Sequence, residues 1–528
     1  MTDEPFETAT VESVGASSMP DSNARRIRRR RASASTDSRS RRIAAGALVV
    51  LSLVVLVLFD ERPSDKTVTA PTLGEAVVLP SDDVVSSAWY CPGGVPGNAN
   101  AITATTDDDE SQIEPLRDLV LITNTTERDA SVRVTAFSSL AEPVSRPVAV
   151  SAGESLSVPV AELSNGPDVA VMVETFVSGI VVEEQVGAPD RDDVAVGPCA
   201  TETSSTWYFA AGSTVRDSTM WLSLFNPFSQ DAVLDITVVT NDTIRRPSEL
   251  QSLVVPARAR RSVFVNDAAD RKRVVSLIIE SSAGSRVIAQ QTTVHRGAQR
   301  RFGVSSTIGA VTTGSRFTFA GGSARPDTTR LVYILNPGPV STDVDVLLAA
   351  QGATPTTIRV APESVEVVNI SELAPPDSQY AVIVEATAGF DASRGRGVVV
   401  EDFEGYRIER GRRSVFGVAG GIGLVAPARE WRFAVSRIDA DTRGRAIVYN
   451  PNDSTVTVDI AYVLDGELVR PEALQGVEVE GSSPRSIGLD IDVDERVGLI
   501  VTSSRPVYVE RFLVREESVT RSTGVPRR

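Results

Sequence analysis

The residue types that most often carry catalysis are scarce in this sequence of 528 residues. It has one histidine, His295, two cysteines, Cys91 and Cys199, and only two lysines, Lys66 and Lys272, among its 53 basic residues. A cluster of His and Cys ligands for zinc therefore cannot form, and only His295 could activate a Ser or Cys nucleophile. Neither lysine lies in a Ser-x-x-Lys motif. The composition excludes zinc sites built from His and Cys and most nucleophilic enzymes, and it leaves chemistry that needs only carboxylates.

His295 is the one candidate base. It lies in the segment QTTVHRGAQRRFG, with Arg296, Arg300 and Arg301 close by. A lone histidine beside arginines is typical of a surface turn, and we expect His295 to occupy one.

A polar position recurs near the end of each repeat described below. It is occupied by Glu183, Gln290, Glu401 and Glu510, with spacings of 107, 111 and 109 residues. The glutamine in this series argues against a required titrating carboxylate. We expect an edge-strand position or a cross-strand pair with an arginine. A hydrolase that uses Asp/Glu pairs in the first repeat is the rival interpretation.

Acidic segments raise the question of calcium, which binds oxygen ligands. They lie at residues 107–110, 439–441 and 490–495. None fits the calcium-loop template, which requires a glycine and a terminal glutamate at fixed spacing. We therefore predict no cofactor, with calcium as the one metal that these segments could bind.

The elements that must position these residues form a repeat. Residues 207–213 (WYFAAGS), 317–323 (FTFAGGS) and 431–436 (WRFAVS) each lead, 19 residues after their first residue, to an Asn-Pro pair. A degenerate copy begins at Trp89 and reaches its asparagine after 35 residues. The four asparagines are Asn124, Asn226, Asn336 and Asn450. Each follows an apolar strand and precedes an alternating one, so we predict turn formers rather than ligand-binding residues.

Seven or eight short strands in about 105 residues are typical of an immunoglobulin-like sandwich. A propeller would need two blades in each copy, and no half-repeat is visible. We predict an all-β protein, with four tandem immunoglobulin-like β-sandwich repeats outside one N-terminal transmembrane helix. The predicted segments are a cytoplasmic, disordered Arg/Ser-rich tail (1–42), a signal-anchor helix (43–59), a linker (60–82), repeat 1 with an insertion (83–202), repeat 2 (203–308), repeat 3 (309–422) and repeat 4 (423–528).

The uncharged apolar run at 43–59 has 17 residues, the short end of what can cross a bilayer as a helix. The arginine-rich tail before it places the N-terminus in the cytoplasm and the bulk of the chain outside. We predict a single-pass plasma-membrane protein. Secretion after signal cleavage near residues 68–70 is the alternative. The net charge of −16 argues against a nucleic-acid partner.

The two cysteines of an exported chain predict a disulfide between Cys91 and Cys199. Cys91 occupies a position that holds phenylalanine in the other repeats. Cys199 lies just beyond Gly197, the first of four glycines that close the repeats. The other three are Gly303, Gly417 and Gly524.

The pattern of an aromatic-x-Phe-Ala-Gly segment, an Asn-Pro pair and a late Val-rich strand ending in Glu resembles an uncharacterised family of actinobacterial membrane-anchored proteins, a domain of unknown function. The resemblance implies an envelope-associated β-repeat protein and supplies no active-site residues. We predict a non-catalytic scaffold or binding protein of the cell envelope, with a cell-wall glycan or an envelope protein as its partner. An envelope polysaccharide hydrolase and an accessory subunit of a membrane glycosyltransferase are the alternatives.

Overall fold

The computed structural model describes residues 77–78, 86–97, 118–164, 166, 168–188, 193–282, 284–297, 301–325, 327–350, 353–388, 397–410, 413–438, 443–489, 495–514 and 518–527. The predicted tail (1–42), the apolar run (43–59) and most of the linker (60–82) lie outside these ranges. So do the acidic segments, except Glu495.

Repeats 1 and 2 each begin with the strand that carries the aromatic motif. Repeat 1 contains β1 (Ser87–Cys91), β2 (Leu119–Asn124), β3 (Ala130–Ser138), β4 (Ala141–Val150), β5 (Ser155–Pro159), helix α1 (Val160–Leu163), β6 (Val169–Thr175), β7 (Ile180–Gly187) and β8 (Val194–Pro198). Repeat 2 contains β9 (Thr206–Phe209), β10 (Ser218–Asn226), β11 (Ala232–Thr240), β12 (Ile244–Arg245), a 3₁₀ turn (Ser248–Leu250), β13 (Leu253–Val255), β14 (Ala259–Phe264), α2 (Val265–Ala268), β15 (Val275–Ser282), β16 (Ile288–Arg296) and β17 (Phe302–Ile308).

Repeats 3 and 4 follow the same order. Repeat 3 contains β18 (Arg316–Ser323), β19 (Thr328–Asn336), β20 (Thr342–Ala349), β21 (Thr356–Val360), β22 (Ser364–Asn369), α3 (Ile370–Leu373), β23 (Gln379–Ala388), β24 (Val399–Arg410) and β25 (Arg413–Ile422). Repeat 4 contains β26 (Ala428–Ile438), β27 (Arg443–Asn450), β28 (Val456–Leu464), β29 (Glu467–Val469), a 3₁₀ turn (Glu472–Leu474), β30 (Val477–Val479), β31 (Ser483–Gly488), β32 (Glu495–Val514), β33 (Val519–Thr523) and β34 (Val525–Arg527). The predicted all-β class is confirmed.

Every repeat forms two antiparallel sheets, which we call its A-sheet and its B-sheet. The A-sheets are β1-β6-β3-β4, then β9-β15-β11-β12 with β13, then β18-β23-β20-β21, then β34-β26-β32-β28-β29 with β30. The B-sheets are β5-β2-β7-β8, β14-β10-β16-β17, β22-β19-β24-β25 and β31-β27-β32-β33. The long strand β32 belongs to both sheets of repeat 4, because its first half pairs with β26 and its second half with β27.

Alternating sequences produce the sandwich within each repeat. Strand β20 (TDVDVLLA) alternates buried and half-buried side chains along its whole length. Its valines meet Val332 and Ile334 of β19 across the interior, around Phe317 and Phe319. Successive side chains of a strand point to opposite faces, so this pattern places one apolar face of the A-sheet against the B-sheet of the same repeat.

The eight sheets close into a ring. The A-sheet of each repeat packs on the B-sheet of the next, as β14 on β3 and β6, β22 on β11, and β27 on β18. The A-sheet of repeat 4 then packs on the B-sheet of repeat 1, because β26 contacts β2 and β7. The last strands of the four B-sheets, β8, β17, β25 and β33, contact one another in that order and back to β8. They surround the centre of the ring.

The repeats are therefore not separate bodies, since Ala70–Arg528 forms one compact unit. The sequence argued against a propeller, yet each repeat contributes two sheets to a propeller-like ring. The half-repeat is invisible in the sequence because the chain crosses between the sheets. In repeat 2, for example, β9 lies in the A-sheet, β10 in the B-sheet and β11 in the A-sheet again.

Each of the four repeat asparagines is buried and holds a turn. The Nδ2 group of Asn226 donates hydrogen bonds to the carbonyl oxygens of Gln230 (2.7 Å) and Val255 (3.2 Å), and its Oδ1 accepts one from the amide of Phe228 (3.0 Å). The same three bonds occur at the other asparagines: Asn124, Asn336 and Asn450. One side chain thus ties the start of a turn to its end and to a neighbouring loop.

The structure contains the disulfide between Cys91 and Cys199, whose Cα atoms are 4.8 Å apart. The strand register shows what it replaces. Residues Cys199, Gly309, Gly423 and Gly524 each directly follow the residue that pairs with the recurring Glu/Gln position. In repeats 2 and 4 a Cβ atom on Gly309 or Gly524 would lie within 2.8 Å of a phenylalanine ring, and on Gly423 within 3.0 Å.

In repeat 1 the disulfide therefore stands where the other repeats pack a phenylalanine ring against a glycine. The four closing glycines predicted from spacing are not equivalent. Gly303 pairs with His295 and Gly417 with Tyr406, and these partners lie several residues beyond the recurring Glu/Gln position of their strands.

Candidate functional site at the centre of the ring

A cavity of about 140 Å³, partly open to solvent, lies between the four B-sheet edges. Each repeat contributes to its wall, for example through Gly197, Ser306, Gly421 and Ser522. The charged side chains that reach the wall are Glu184, Asp402, Glu510 and Arg521. We call this space the axial cavity.

We expected the recurring Glu/Gln positions at sheet edges or in cross-strand pairs with arginines. The structure does not place them at edges. They occupy β7, β16, β24 and β32, each of which has a partner strand on both sides, and all are at most 3 % exposed. The Oε2 atom of Glu401 accepts hydrogen bonds from the amides of Ala210 (3.0 Å) and Ala211 (2.9 Å) in repeat 2. The carboxyl group thus joins its repeat to the aromatic segment of the preceding one.

The same kind of contact, a backbone amide of one repeat donating to a recurring glutamate of another, occurs elsewhere in the ring. The Oε1 atom of Glu510 accepts from the amide of Ala320 (3.2 Å) in repeat 3. Glu183 of repeat 1 accepts from the amide of Ala434 in repeat 4, which closes the circle. Glu183 also binds Arg511 of repeat 4 (2.8 Å), so its arginine partner comes from another repeat rather than from a neighbouring strand.

The glutamine in the series has a structural explanation. Counted from the aromatic residue, Pro92 of repeat 1 stands where repeats 2, 3 and 4 have Ala210, Ala320 and Ala434. Proline has no N–H, so the donor for a carboxylate is absent there. Gln290 instead donates from Nε2 to Glu184 Oε2 (2.8 Å) and Ser306 Oγ (2.9 Å).

A buried ion cluster connects repeats 3 and 4 beside the cavity. Arg521 of repeat 4 donates to Asp402 and to Glu404 Oε2 (2.9 Å), and its Nε lies 3.9 Å from Glu510. Arg330 completes the cluster from repeat 3, with its Nη2 2.7 Å from Asp402. Burial alone would lower the pKa of both arginines, but the surrounding carboxylates raise it above the ordinary value. Both guanidinium groups therefore stay charged.

Two carboxyl groups of the ring have strongly raised pKa values. Burial raises the pKa of Glu401 to about 8, against the lowering effect of its two backbone hydrogen bonds. Burial, followed by the charge of Asp118, raises the pKa of Glu184 to about 8. Both groups hold a proton near neutral pH in the folded protein, while the unfolded chain releases it near the ordinary glutamate pKa.

This difference predicts that stability falls as pH rises. Because the folded state binds more protons between about pH 5 and pH 8, the free energy of unfolding decreases through that window. We expect Glu401→Gln, which cannot ionise, to flatten the decrease measured by urea unfolding at several pH values. The exposed Glu366→Gln serves as the control. A Glu401→Gln curve parallel to that of the unmodified protein would contradict this assignment.

His295 is not at a surface turn. It lies near the end of β16, 2 % exposed, with Nδ1 3.0 Å from Ser218 Oγ and its ring edge-on to Phe403 of repeat 3 at 5.3 Å. The error arose because β16 continues to Arg296 and repeat 3 covers this end, which local sequence does not reveal. Burial, with a smaller effect of Arg301, lowers the pKa of His295 to about 3.

We expect this imidazole to stay neutral across the physiological pH range. Because the chain has a single histidine, ¹⁵N NMR of histidine-labelled protein reports it without ambiguity. Ring shifts that do not move between about pH 5 and pH 8 are the expected result. Titration near the ordinary pKa of about 6.5 would place the ring in solvent.

Sequence reasoning did not identify Arg330, Asp402, Arg511 or Arg521. One signal was available, because the residue after each recurring Glu/Gln is polar as well: Glu184, Gln291, Asp402 and Arg511. Adjacent polar residues in a strand place polar groups on both faces. In the part of the chain that the structure describes, no group of three or more His, Cys, Asp or Glu residues could hold a metal ion.

Part of the chain matches a known protein family. A family model described as a family of unknown function (DUF5719) matches residues 169–297, from β6 of repeat 1 to just past β16 of repeat 2. No curated protein matches the chain. A solved structure, titled as the crystal structure of a tetra-tandem repeat in the extending region of a large adhesion protein, is 13% identical. The alignment covers 78% of this chain and 95% of that one, but its TM-score of 0.07 supports no shared fold.

Within the ranges described above, no helix has the length and apolar character needed to cross a membrane.

Proposed function

We propose that this protein is a non-catalytic, membrane-anchored scaffold or binding protein of the cell envelope, and that residues 43–59 anchor it with the bulk of the chain outside. Each repeat would be an immunoglobulin-like sandwich built into one rigid body. A cell-wall glycan or an envelope protein would be the partner.

The observation that carries this proposal is the ring itself. Four repeats close around one cavity, to which each of them contributes wall residues. The acids that recur with the repeat, Glu183, Glu401 and Glu510, bind backbone amides of the neighbouring repeat. These carboxyl groups join neighbouring repeats of the ring, and a rigid ring with a shared central site suits a binding protein.

The test is retention of residues 70–528, which form a compact unit by themselves, on isolated envelope polysaccharide and peptidoglycan. The supernatant of the same tubes is analysed for soluble sugar fragments. Retention without fragments is the expected result. Fragments that disappear in Glu184→Gln would favour the polysaccharide hydrolase instead, since a carboxyl with a raised pKa lining a cavity is suited to general acid catalysis.

A further inference from the structure

Two glycines on the wall of the axial cavity leave space that larger side chains could fill. An added Cβ on Gly197 would meet no atom within 4 Å, and on Gly421 only Thr307 Oγ1 at 3.9 Å. Neither glycine has a positive φ, so larger residues would fit without backbone strain. Protein interiors are close-packed. Glycine at two unstrained wall positions therefore keeps this space open.

Two buried acceptors on the wall lack hydrogen-bond partners among the described residues. They are Oε1 of Gln290, which is 3 % exposed, and Oε2 of Glu510, which is 1 % exposed. Arg521 Nε lies 3.9 Å from the second atom, beyond hydrogen-bonding distance. Buried acceptors normally have a partner, so a donor from a ligand or from ordered water is expected at these atoms.

The remaining wall combines hydroxyl groups with an apolar surface. Ser306, Thr307 and Ser522 supply hydroxyls, while Phe317, Phe319 and Leu424 supply the apolar part. Sugars present the same combination, hydroxyl groups at the ring edge and C–H groups on its faces. A closed cavity of roughly 150 Å³ accepts a benzene ring, so the axial cavity, at about 140 Å³ and partly open to solvent, has room for one six-membered ring whose substituents face the opening.

The charges on the wall favour a neutral ligand over a charged one. The cationic side chain on the described wall, Arg521, is already paired with Asp402 and Glu404, so it is not free to bind an anionic sugar. An ammonium group could only donate hydrogen bonds, whereas burial raises the pKa of Glu184 to about 8, so near neutral pH this carboxyl carries a proton that needs an acceptor. A hydroxyl group can both donate and accept.

We propose that the axial cavity binds one neutral sugar residue of pyranose size, free or at the end of a glycan chain, with Gln290 and Glu510 as its hydrogen-bonding anchors. This inference rests on the proposed function, because it names the ligand class of the binding protein.

The experiment measures binding of sugars to residues 70–528 by saturation-transfer NMR and calorimetry. The probes are glucose, galactose, mannose and N-acetylglucosamine, their methyl glycosides, short oligosaccharides ending in each sugar, and glucuronic acid. Gly421→Leu fills the cavity. Gly405→Leu is the matched control, because Gly405 lies in the neighbouring strand β24, outside the cavity, with only Phe403 at 3.7 Å. Thermal unfolding checks that both variants fold, and Gln290→Met replaces Gly421→Leu if that variant does not.

We expect saturable binding of at least one neutral sugar. Its affinity should fall by about tenfold or more in Gly421→Leu and stay unchanged in Gly405→Leu. Oligosaccharides that bind more tightly than the free sugar would identify a glycan end as the ligand, and the reverse would identify a free sugar. Absence of binding by every neutral probe, tighter binding of glucuronic acid, or unchanged binding in a folded Gly421→Leu would overturn the inference.

Retention on envelope polymer, measured with the same variants, separates the two proposals. Retention of a protein that binds no neutral sugar would leave the scaffold proposal standing and remove the cavity ligand. Sugar binding in the cavity without retention on the polymer would support the cavity ligand and count against the envelope scaffold.

Discussion

Replacing Arg521 with methionine should cost about 3 to 5 kcal/mol of folding free energy. The substitution keeps much of the side-chain volume but leaves the carboxylates of Asp402, Glu404 and Glu510 buried without one of their two cations. An unpaired buried charge is far more costly than the loss of a surface pair. The measurement is chemical unfolding of residues 70–528.

The matched control is Arg359→Met. Arg359 forms a solvent-exposed pair with Asp343 at 3.8 Å, and such pairs contribute less than about 1 kcal/mol. Equal losses in the two variants would show that the cluster beside the cavity does not stabilise the contact between repeats 3 and 4.

Removing the disulfide should also have a large effect. Cys91→Ser with Cys199→Ser opens a loop of 108 residues, and we expect a loss of about 2 to 5 kcal/mol. Both cysteines are at most 1 % exposed, so the serine hydroxyls would add an unfavourable burial. Chemical unfolding of the double variant, compared with the unmodified protein, measures the loss.

The other repeats suggest a restoring variant. Cys91→Phe with Cys199→Gly installs the pair that repeat 4 has in Phe433 and Gly524, where the ring lies over the glycine. We expect this variant to recover part of the stability that the serine variant loses, because the aromatic ring fills the space by apolar burial. A Phe/Gly variant no more stable than the Ser/Ser variant would contradict the equivalence of these positions.

Local sequence determined the strands and turns well. Alternation predicted the strand that follows each repeat asparagine, because burial of one face imposes a period of two. Asn124 and its counterparts hold turns through short-range bonds to residues two and four positions away. The disulfide was predicted from the expected export of the chain and from there being only two cysteines.

The contacts between repeats were not accessible from the sequence. Arg511 and Glu183 are 328 positions apart, and no local pattern connects them. The same limit applies to His295, whose burial depends on Phe403 of the next repeat. The glutamates that join the repeats recur visibly in the sequence, but their partners are backbone amides, which have no sequence signature of their own.

The ring also changes how substitutions in one repeat should be interpreted. Because every A-sheet packs on the B-sheet of another repeat, a core substitution in repeat 1 acts on its neighbours as well. The cavity exists only when all four repeats are joined, since its wall comes from each of them. A fragment with fewer repeats should therefore lack the sugar site.

Closure of the four repeats into one ring is the claim on which the cavity and the proposed function depend, and small-angle X-ray scattering of residues 70–528 tests it most directly. A compact body of this length has a radius of gyration of about 23 Å, whereas four separate modules in a row would give about 40 Å. We predict the smaller value. A value near the larger one would show that repeats 1 and 4 do not meet and that no axial cavity exists in solution.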